Sequence, residues 1–279
     1  MRNIFYSDTD FVKENSNQYI LSIRFTTDGL SFCIHESSGK LLVFSLKPHT
    51  LTSQDEIIAK TKQAIAEDEL LKLKYKKVYI NPCQKEKILI PAHIFNKNHL
   101  PDLFRLCVPT DKNDHLLYRK IRILEAYIAE SLPRNFVTFL TTKYQSLCVV
   151  NSAYPFIINS LSSTLLNTHH LFIDIHETYF DMLITKDAEM ILFNSFQYNA
   201  IPDLIYYVLQ CIKKTGIKAD KLRTVISGNL VNDPKLYQLL SNYIPEISFL
   251  EDSNLEQLVK NEELNSSCFV HLLSMHQCE

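Results

Sequence analysis

The stretch from His169 to Gln197 constrains the fold more than any other part of the chain. His170-Leu171-Phe172-Ile173-Asp174-Ile175-His176 is nearly all apolar between polar flanks, as a strand buried on both faces reads. It carries one carboxylate, Asp174, where the strand ends. After Glu177-Thr178 a second strand runs from Tyr179 to Lys186. Asp187-Ala188 turns the chain, and Met190 to Phe196 forms a third strand. Three strands on short turns make a meander, and an acid at the end of its buried first strand is expected to point into a cleft.

The same pattern occurs earlier. Tyr19 to Phe25, Gly29 to His35 and Lys40 to Lys47 read as three strands, with Gly39 at the second turn. Laid over the later block without gaps, Arg24 falls on Asp174, Thr26 on His176, Cys33-Ile34 on Leu183-Ile184 and Leu41-Leu42 on Ile191-Leu192. The segments after each meander agree too. Ser53 to Leu71 and Ile201 to Thr215 read as helices, then Val78 to Asn81 and Thr224 to Ser227 as short strands. Pro133 to Tyr144 with Leu147 to Asn151 matches Pro234 to Tyr243 with Ile247 to Leu250 as helix then strand. An order of elements used twice predicts a duplicated α/β fold: two subdomains, each a mixed sheet with a three-stranded meander and flanking helices. The first copy carries an insertion at about Gln84 to Ile123. Residue identity between the copies is poor, so the inference rests on element order.

Composition sets the bounds on function. A formal charge of −2 gives no electrostatic reason to expect nucleic acid or an anionic membrane as partner. No apolar run approaches the roughly 18–20 residues of a membrane span. Met1 to Asn17 is polar and acidic, unlike a signal peptide, and reads as a loosely attached lead-in. Seven cysteines are scattered without a CxxC pair, which points to reduced thiols and a cytoplasmic setting. The four glycines are about a fifth of ordinary usage. Loops that cradle phosphate need glycine for close backbone approach, and this chain has little to offer them.

In chain order, Asp28-Gly29 suits the first hairpin turn and Thr52-Ser53 caps the helix after the meander. The lysines at 72, 74, 76 and 77, beside Glu67, Asp68 and Glu69, read as a solvated helix end. The insertion reads as short strands and a turn of helix, after which Leu124 to Ser131 returns to a strand. Pro133 and Pro155 sit at the first positions of helices, the second running from Phe156 to Leu166 and crossing between copies. A polar stretch, Asp252 to Ser267, precedes the apolar Cys268 to Leu273, expected as a final helix packed near the cleft. The division expected is 1–167 and 168–279.

Two such copies joined by a crossing helix resemble the actin-like ATPase fold, whose subdomains are RNase H-like. Leu21-Ser22-Ile23-Arg24, the Leu124 to Pro155 block and Phe269-Val270-His271-Leu272-Leu273 with Cys278-Glu279 are similar to the bacterial domain-of-unknown-function family 3822. That resemblance implies an actin-like fold without an assigned activity. Active members of the superfamily carry Asp and a glycine two residues later at the first strand end, repeat this in the second copy, and seat adenosine on a Gly-Gly turn. The corresponding positions here are Arg24-Phe25-Thr26, Asp174-Ile175-His176 and Ser227-Gly228-Asn229. An arginine does not serve the oxygen-loving shell of Mg²⁺, and His176 with Glu177 adds bulk where phosphate should meet bare amides. The resemblance therefore implies a pseudoenzyme with no cofactor. Should ATP with Mg²⁺ bind, the positions for it are Asp174, His176, Ser227, Gly228 and Asn229.

The remaining residues admit rival readings. Arg24, Thr26, Thr27 and Asp174 are expected to line the cleft, with Arg24 either holding an anion or pairing with Asp174. His170, Asp174 and His176 share a strand face, but His170 and Asp174 are about 13 Å apart at roughly 3.3 Å per residue, too far to share an ion. His271 and His276 read as core or surface. Ser227 and Ser152 have no histidine or aspartate partner that sequence can show. A two-metal nuclease needs more strand-end acids than Asp174 with Asp181 one strand over. Two functions are left. One is a non-catalytic interaction or assembly module that docks a protein or peptide at the cleft or the insertion. The other is a nucleotide-binding protein or weak phosphotransferase.

Overall fold

The computed structural model describes residues 3–27, 29–49, 51, 53–82, 84–228, 233–250 and 266–277. Expectations for Asp28, Thr52, Asn229, the 252–265 part of the polar stretch and Cys278-Glu279 lie outside the described residues. The chain divides into two compact units, Met1–Pro155 with Leu272–Glu279, and Phe156–His271.

The first unit is built on β1 (Ile4–Ser7), β2 (Ile20–Thr26), β3 (Gly29–His35), β4 (Leu41–Pro48), α1 (Gln54–Glu67), β5 (Lys77–Asn81), α3 (Arg134–Lys143) and β9 (Leu147–Val149), in a sheet ordered β1-β4-β3-β2-β5-β9. The strands of the meander are apolar because both faces are covered. Leu21, Ile23 and Phe25 pack with Ile58 and Ile65 of α1 and with Phe136 and Leu140 of α3. Ser53 closes a capping box with Glu56, which fixes where α1 begins. The helix stops at Glu67 rather than Leu71, because Asp68 takes the Leu70 and Leu71 amides on its side chain and turns the chain. At the far end, the His276 ring lies 4.5 Å from that of His35, whose imidazole burial, aided by the His276 charge, pushes down to about 3.

The insertion is a sheet of its own. β6 (Lys87–Pro91), β7 (His115–Ile121) and β8 (Ala126–Leu132) are ordered β6-β8-β7, with α2 (Leu100–Cys107) packed by Leu100 and Phe104 onto Ile90 and Ala129. The strand expected at 124–131 is its centre, so the insertion reaches Leu132.

In the second unit β10 (His169–Ile175), β11 (Tyr179–Lys186), β12 (Glu189–Gln197), α5 (Ile201–Thr215), β13 (Leu222–Gly228), α6 (Pro234–Ser241) and β14 (Ile247–Phe249) form a sheet ordered β12-β11-β10-β13-β14 under two helices. Leu204, Val208 and Ile212 of α5 and Leu236 and Leu240 of α6 cover Leu171, Ile173 and Ile175. Asp187 and Ala188 both take positive φ, the two-residue turn that matches strand twist.

The duplication extends to the register. Arg24 pairs with Ser31 and Asn81, as Asp174 pairs with Asp181 and Ser227. Each meander carries an irregularity at the same place, between Ile34 and His35 and between Ile184 and Thr185. In the third strand the gapless overlay slips by one. Leu41 pairs with His35 as Met190 pairs with Thr185, because the first copy's second turn is one residue longer.

Four further expectations change. Ile4–Ser7 is a strand paired along β4, not a loose lead-in. The helix placed at Phe156–Leu166 is α4 (Tyr154–Ser162), and Pro133 is the N-cap of α3 rather than its first residue. The terminal apolar stretch forms a short turn of helix, α7 (Val270–Leu273). No helix among the described residues is long and apolar enough to cross a membrane, and none of the described cysteines is in a disulfide.

Candidate functional site

Register alone assembles the core of the site. β10 runs antiparallel to β11 and parallel to β13, so Asp174 has Asp181 directly beside it on one side and Ser227 on the other. All three side chains are buried. Two carboxylates side by side away from water require positive partners or protons.

Two histidines supply the partners. His176 follows the last residue of β10. Its N–H donates to the Tyr179 carbonyl, its ring stacks on Tyr179 at 4.2 Å, and its own carbonyl accepts from the Tyr198 hydroxyl. Held in this way, its Nε2 stands 3.3 Å from Asp174 Oδ2 and 3.7 Å from Asp181 Oδ2. Ser195 donates to the other Asp181 oxygen at 2.5 Å. His271 comes from α7, its ring edge-on to Phe156, with Nε2 3.0 Å from Ser227 Oγ and 3.5 Å from Asp174 Oδ1. The Asn159 amide stands 3.1 Å from its Nδ1.

Asp174 is the centre of this network. Burial by itself would raise its carboxyl; the charges of His271 and His176 and hydrogen bonds from both outweigh it and hold the group well below the usual carboxylate range. Within its own unit Asp174 therefore has partners in His271, His176 and Ser227.

The geometry limits the chemistry. Ser227 Oγ donates to Asp174 Oδ1 at 2.8 Å and lies 3.0 Å from His271 Nε2. A serine–histidine–aspartate relay needs carboxylate and hydroxyl on opposite ring nitrogens; here both face the same one. The far ring nitrogen faces the Asn159 amide and no carboxylate, so the arrangement is not a serine–histidine–aspartate triad. Both oxygens of Asp174 are engaged by protein groups, and no group of three or more His, Cys, Asp or Glu among the described residues is arranged to hold a metal ion.

Gly228 has φ +95, and a Cβ there would lie 2.6 Å from the Ile175 nitrogen and closer still to its carbonyl oxygen. The glycine lets β13 close on β10, and its carbonyl accepts from the Cys268 thiol at 3.2 Å. It serves strand packing.

Of the residues singled out from sequence, Asp174, His176, Ser227 and Gly228 come together in the second unit. Arg24, Thr26 and Thr27 gather at the matching strand end of the first. There Arg24 is buried, Thr26 donates to the Gly29 carbonyl at 3.1 Å, and the Thr27 carbonyl accepts from Leu51 N at 2.8 Å. Sequence reasoning missed His271, Asn159 and Ser195. It also left Ser227 without partners, whereas Asp174 and His271 both reach it. His170 stands apart, stacked on Phe172.

A mixed sheet with a leading meander, built twice with an extra small sheet in the first copy, defines the actin-like ATPase fold. Among solved structures, a Bacteroides thetaiotaomicron VPI-5482 protein of actin-like ATPase fold and unknown function matches with TM-score 0.78 and 23% identity, over 90% of this chain and 99% of that one. The PilM–PilN type IV pilus biogenesis complex matches at 0.61 with 10% identity, over 92% and 97%. The ethanolamine utilization protein EutJ from Carboxydothermus hydrogenoformans matches at 0.52 with 10% identity, over 96% and 94%. At these identities the likeness is one of fold. The model of the family of proteins of unknown function DUF3822 matches residues 8–247, and the chain belongs to that family. No curated protein matches it.

Proposed function

We propose that this protein is a non-catalytic member of the actin-like fold, an interaction or assembly module whose nucleotide positions have become internal structure. One observation carries the reading: Asp174, where active relatives place a Mg²⁺-ordering acid, is buried, hydrogen-bonded to Ser227, and within 3.3 Å of His176 and 3.5 Å of His271 of its own unit. A metal–phosphate group would have to displace both histidines before meeting that oxygen pair. Gly228, which in the family pattern would admit adenosine, is filled against Ile175. PilM, which shares the fold, is seen in complex with PilN, and this supports a binding role for the scaffold. The free thiols of the described cysteines, three of them buried, agree with a cytoplasmic setting.

The test is a thermal-shift titration with Mg-ATP, Mg-ADP and Mg-GTP. The expected outcome is no shift with any of them. A nucleotide with micromolar Kd would stabilise the fold by roughly 4 kcal/mol at a thousandfold excess, and a rise of that size would establish the nucleotide-binding alternative instead.

A further inference from the structure

The lysines that follow α1 read from sequence as a solvated helix end beside Glu67, Asp68 and Glu69. In the structure those acids are engaged by other side chains. Lys47 takes Asp68 at 2.6 Å, Lys13 takes Glu69 at 2.7 Å, and the Glu67 carboxylate accepts from Gln63 at 2.9 Å. Lys72 reaches the Glu67 carbonyl instead, at 3.2 Å, and acts on Glu69 only at longer range. Lys74 has no ion pair among the described residues, and Lys143, in the last turn of α3, stands over the Tyr144 ring.

These three lysines line one cavity of about 220 Å³, between the segment joining α1 to β5 and the segment joining α3 to β9. Its floor is Tyr75, Val78 and Tyr144, all buried, and both tyrosine hydroxyls are already spent on the Leu70 and Leu71 carbonyls. Gln145 and Ser146 complete the wall with side chains that make no hydrogen bond among the described residues, and no described acid lines it. The second unit shows the same place with its charge balanced. The Ser146 carbonyl accepts from Val78 N as the Glu246 carbonyl accepts from Thr224 N, so the two residues correspond. Glu246 pairs with Arg223 at 3.3 Å, whereas the first unit has only a hydroxyl there.

We propose that this cavity binds phosphate, free or carried on a small molecule. Three ammonium groups around a buried floor, with no acid among them, attract an anion more strongly than the same charges spread in water. Lysine acts as a point charge and suits a compact phosphate, whereas planar carboxylates favour the fork of arginine. The volume falls below the roughly 300–1,000 Å³ of drug-sized sites, so the ligand is small. α3 meets the cavity by its C-terminal end, whose dipole opposes an anion, so the lysines must supply the attraction. The cavity belongs to the first unit and does not rest on the state of Asp174.

The experiment is a thermal-shift titration of the full chain with inorganic phosphate and with glycerol 3-phosphate. Ionic strength is held constant with sodium chloride, because screening alone relieves repulsion among the lysines. The expected result is a saturable rise in Tm. A lower midpoint for glycerol 3-phosphate assigns the site to a phosphorylated molecule, and equal midpoints assign it to free phosphate. Lys74→Gln with Lys143→Gln should raise the midpoint at least about tenfold, since a hydrogen bond to a charged group is worth about that factor. Lys112→Gln, on the insertion, should leave it unchanged. Ser146→Glu, which installs the acid of the second unit, should abolish the rise. No saturable rise at tens of millimolar of either anion overturns the proposal, and so does a rise that the double lysine variant and Ser146→Glu keep in full. Circular dichroism of each variant separates lost binding from lost folding. A shift with Mg-ATP that disappears in the double lysine variant belongs to this cavity; one that survives there belongs to the nucleotide-binding alternative.

Discussion

The two units place opposite charges at the same point of one framework. Arg24 stands between Ser31 and Asn81, Asp174 between Asp181 and Ser227, on strands of matching register with the irregularity in the same place. What the copies share is the apolar set that covers the sheet, Leu21, Ile23 and Phe25 in one and Leu171, Ile173 and Ile175 in the other. The polar residues at the strand ends contribute nothing to that cover, so they have diverged without disturbing it. The cost is local. A pair of adjacent buried acids in the second unit draws in His176 and His271, while the matching position to His176 is Thr26, whose hydroxyl donates to the Gly29 carbonyl across its hairpin.

The largest effect that would probe this comparison is at Gly228. Its counterpart by register is Pro82, so one strand end depends on a missing side chain and the other does not. Gly228→Ala forces a Cβ into the Ile175 backbone and should cost more than about 4 kcal/mol, read as a large fall in Tm. A fall of less than about 1 kcal/mol would break the assignment of Gly228 to strand closure.

Next is Asp174→Ala, which takes the shared carboxylate from beside His176 and His271 while Asp181 stays beside His176. Removing one member of a buried pair costs about 3–5 kcal/mol, and the low end is expected because Asp181 still faces His176. Denaturant unfolding measures it. His271→Gln in the same background should then cost less than it does alone, since the two residues act on each other.

Acid sharpens the comparison, with a smaller effect. His35 in the first unit is held down to about 3, so the folded chain binds fewer protons than the unfolded chain between about pH 6.5 and 3. Stability is full above that window and falls as pH drops through it, by about 2 kcal/mol between pH 7 and 5. Asp174 is also depressed, but its unfolded value is about 3.9, so its contribution is intact above pH 4 and lost only below. His35→Phe should flatten the fall between pH 7 and 5 and leave the steeper loss below pH 4; an unchanged slope would clear His35 of the role.

Most of the framework was legible in the sequence because long apolar strands announce themselves. Gly29–His35, Tyr179–Lys186 and Ile201–Thr215 fall where periodicity puts them. The failures have a common cause, which is dependence on distant partners. Ile4–Ser7 is four residues in a polar context and becomes a strand only by lying along β4. Leu124 to Ser131 reads as a strand, and the structure has one at Ala126–Leu132, but nothing local says which sheet owns it. At the site, Asp174 was visible as the lone acid of an apolar strand, and Ser227 and Gly228 as the end of another. His271 was not, because an imidazole in an apolar terminal stretch gives no sign that its turn of helix brings it back to Ser227.

The first unit is discontinuous in the chain: the segment from Leu272 onward rejoins it after the whole of the second has intervened. The His276 ring that covers His35, and the Leu272 carbonyl that meets Cys33, are therefore translated later than every residue of the other unit. On the ribosome the earlier-made body cannot complete its core as an independent nascent domain, and must wait, with His35 uncovered, until the later one has emerged.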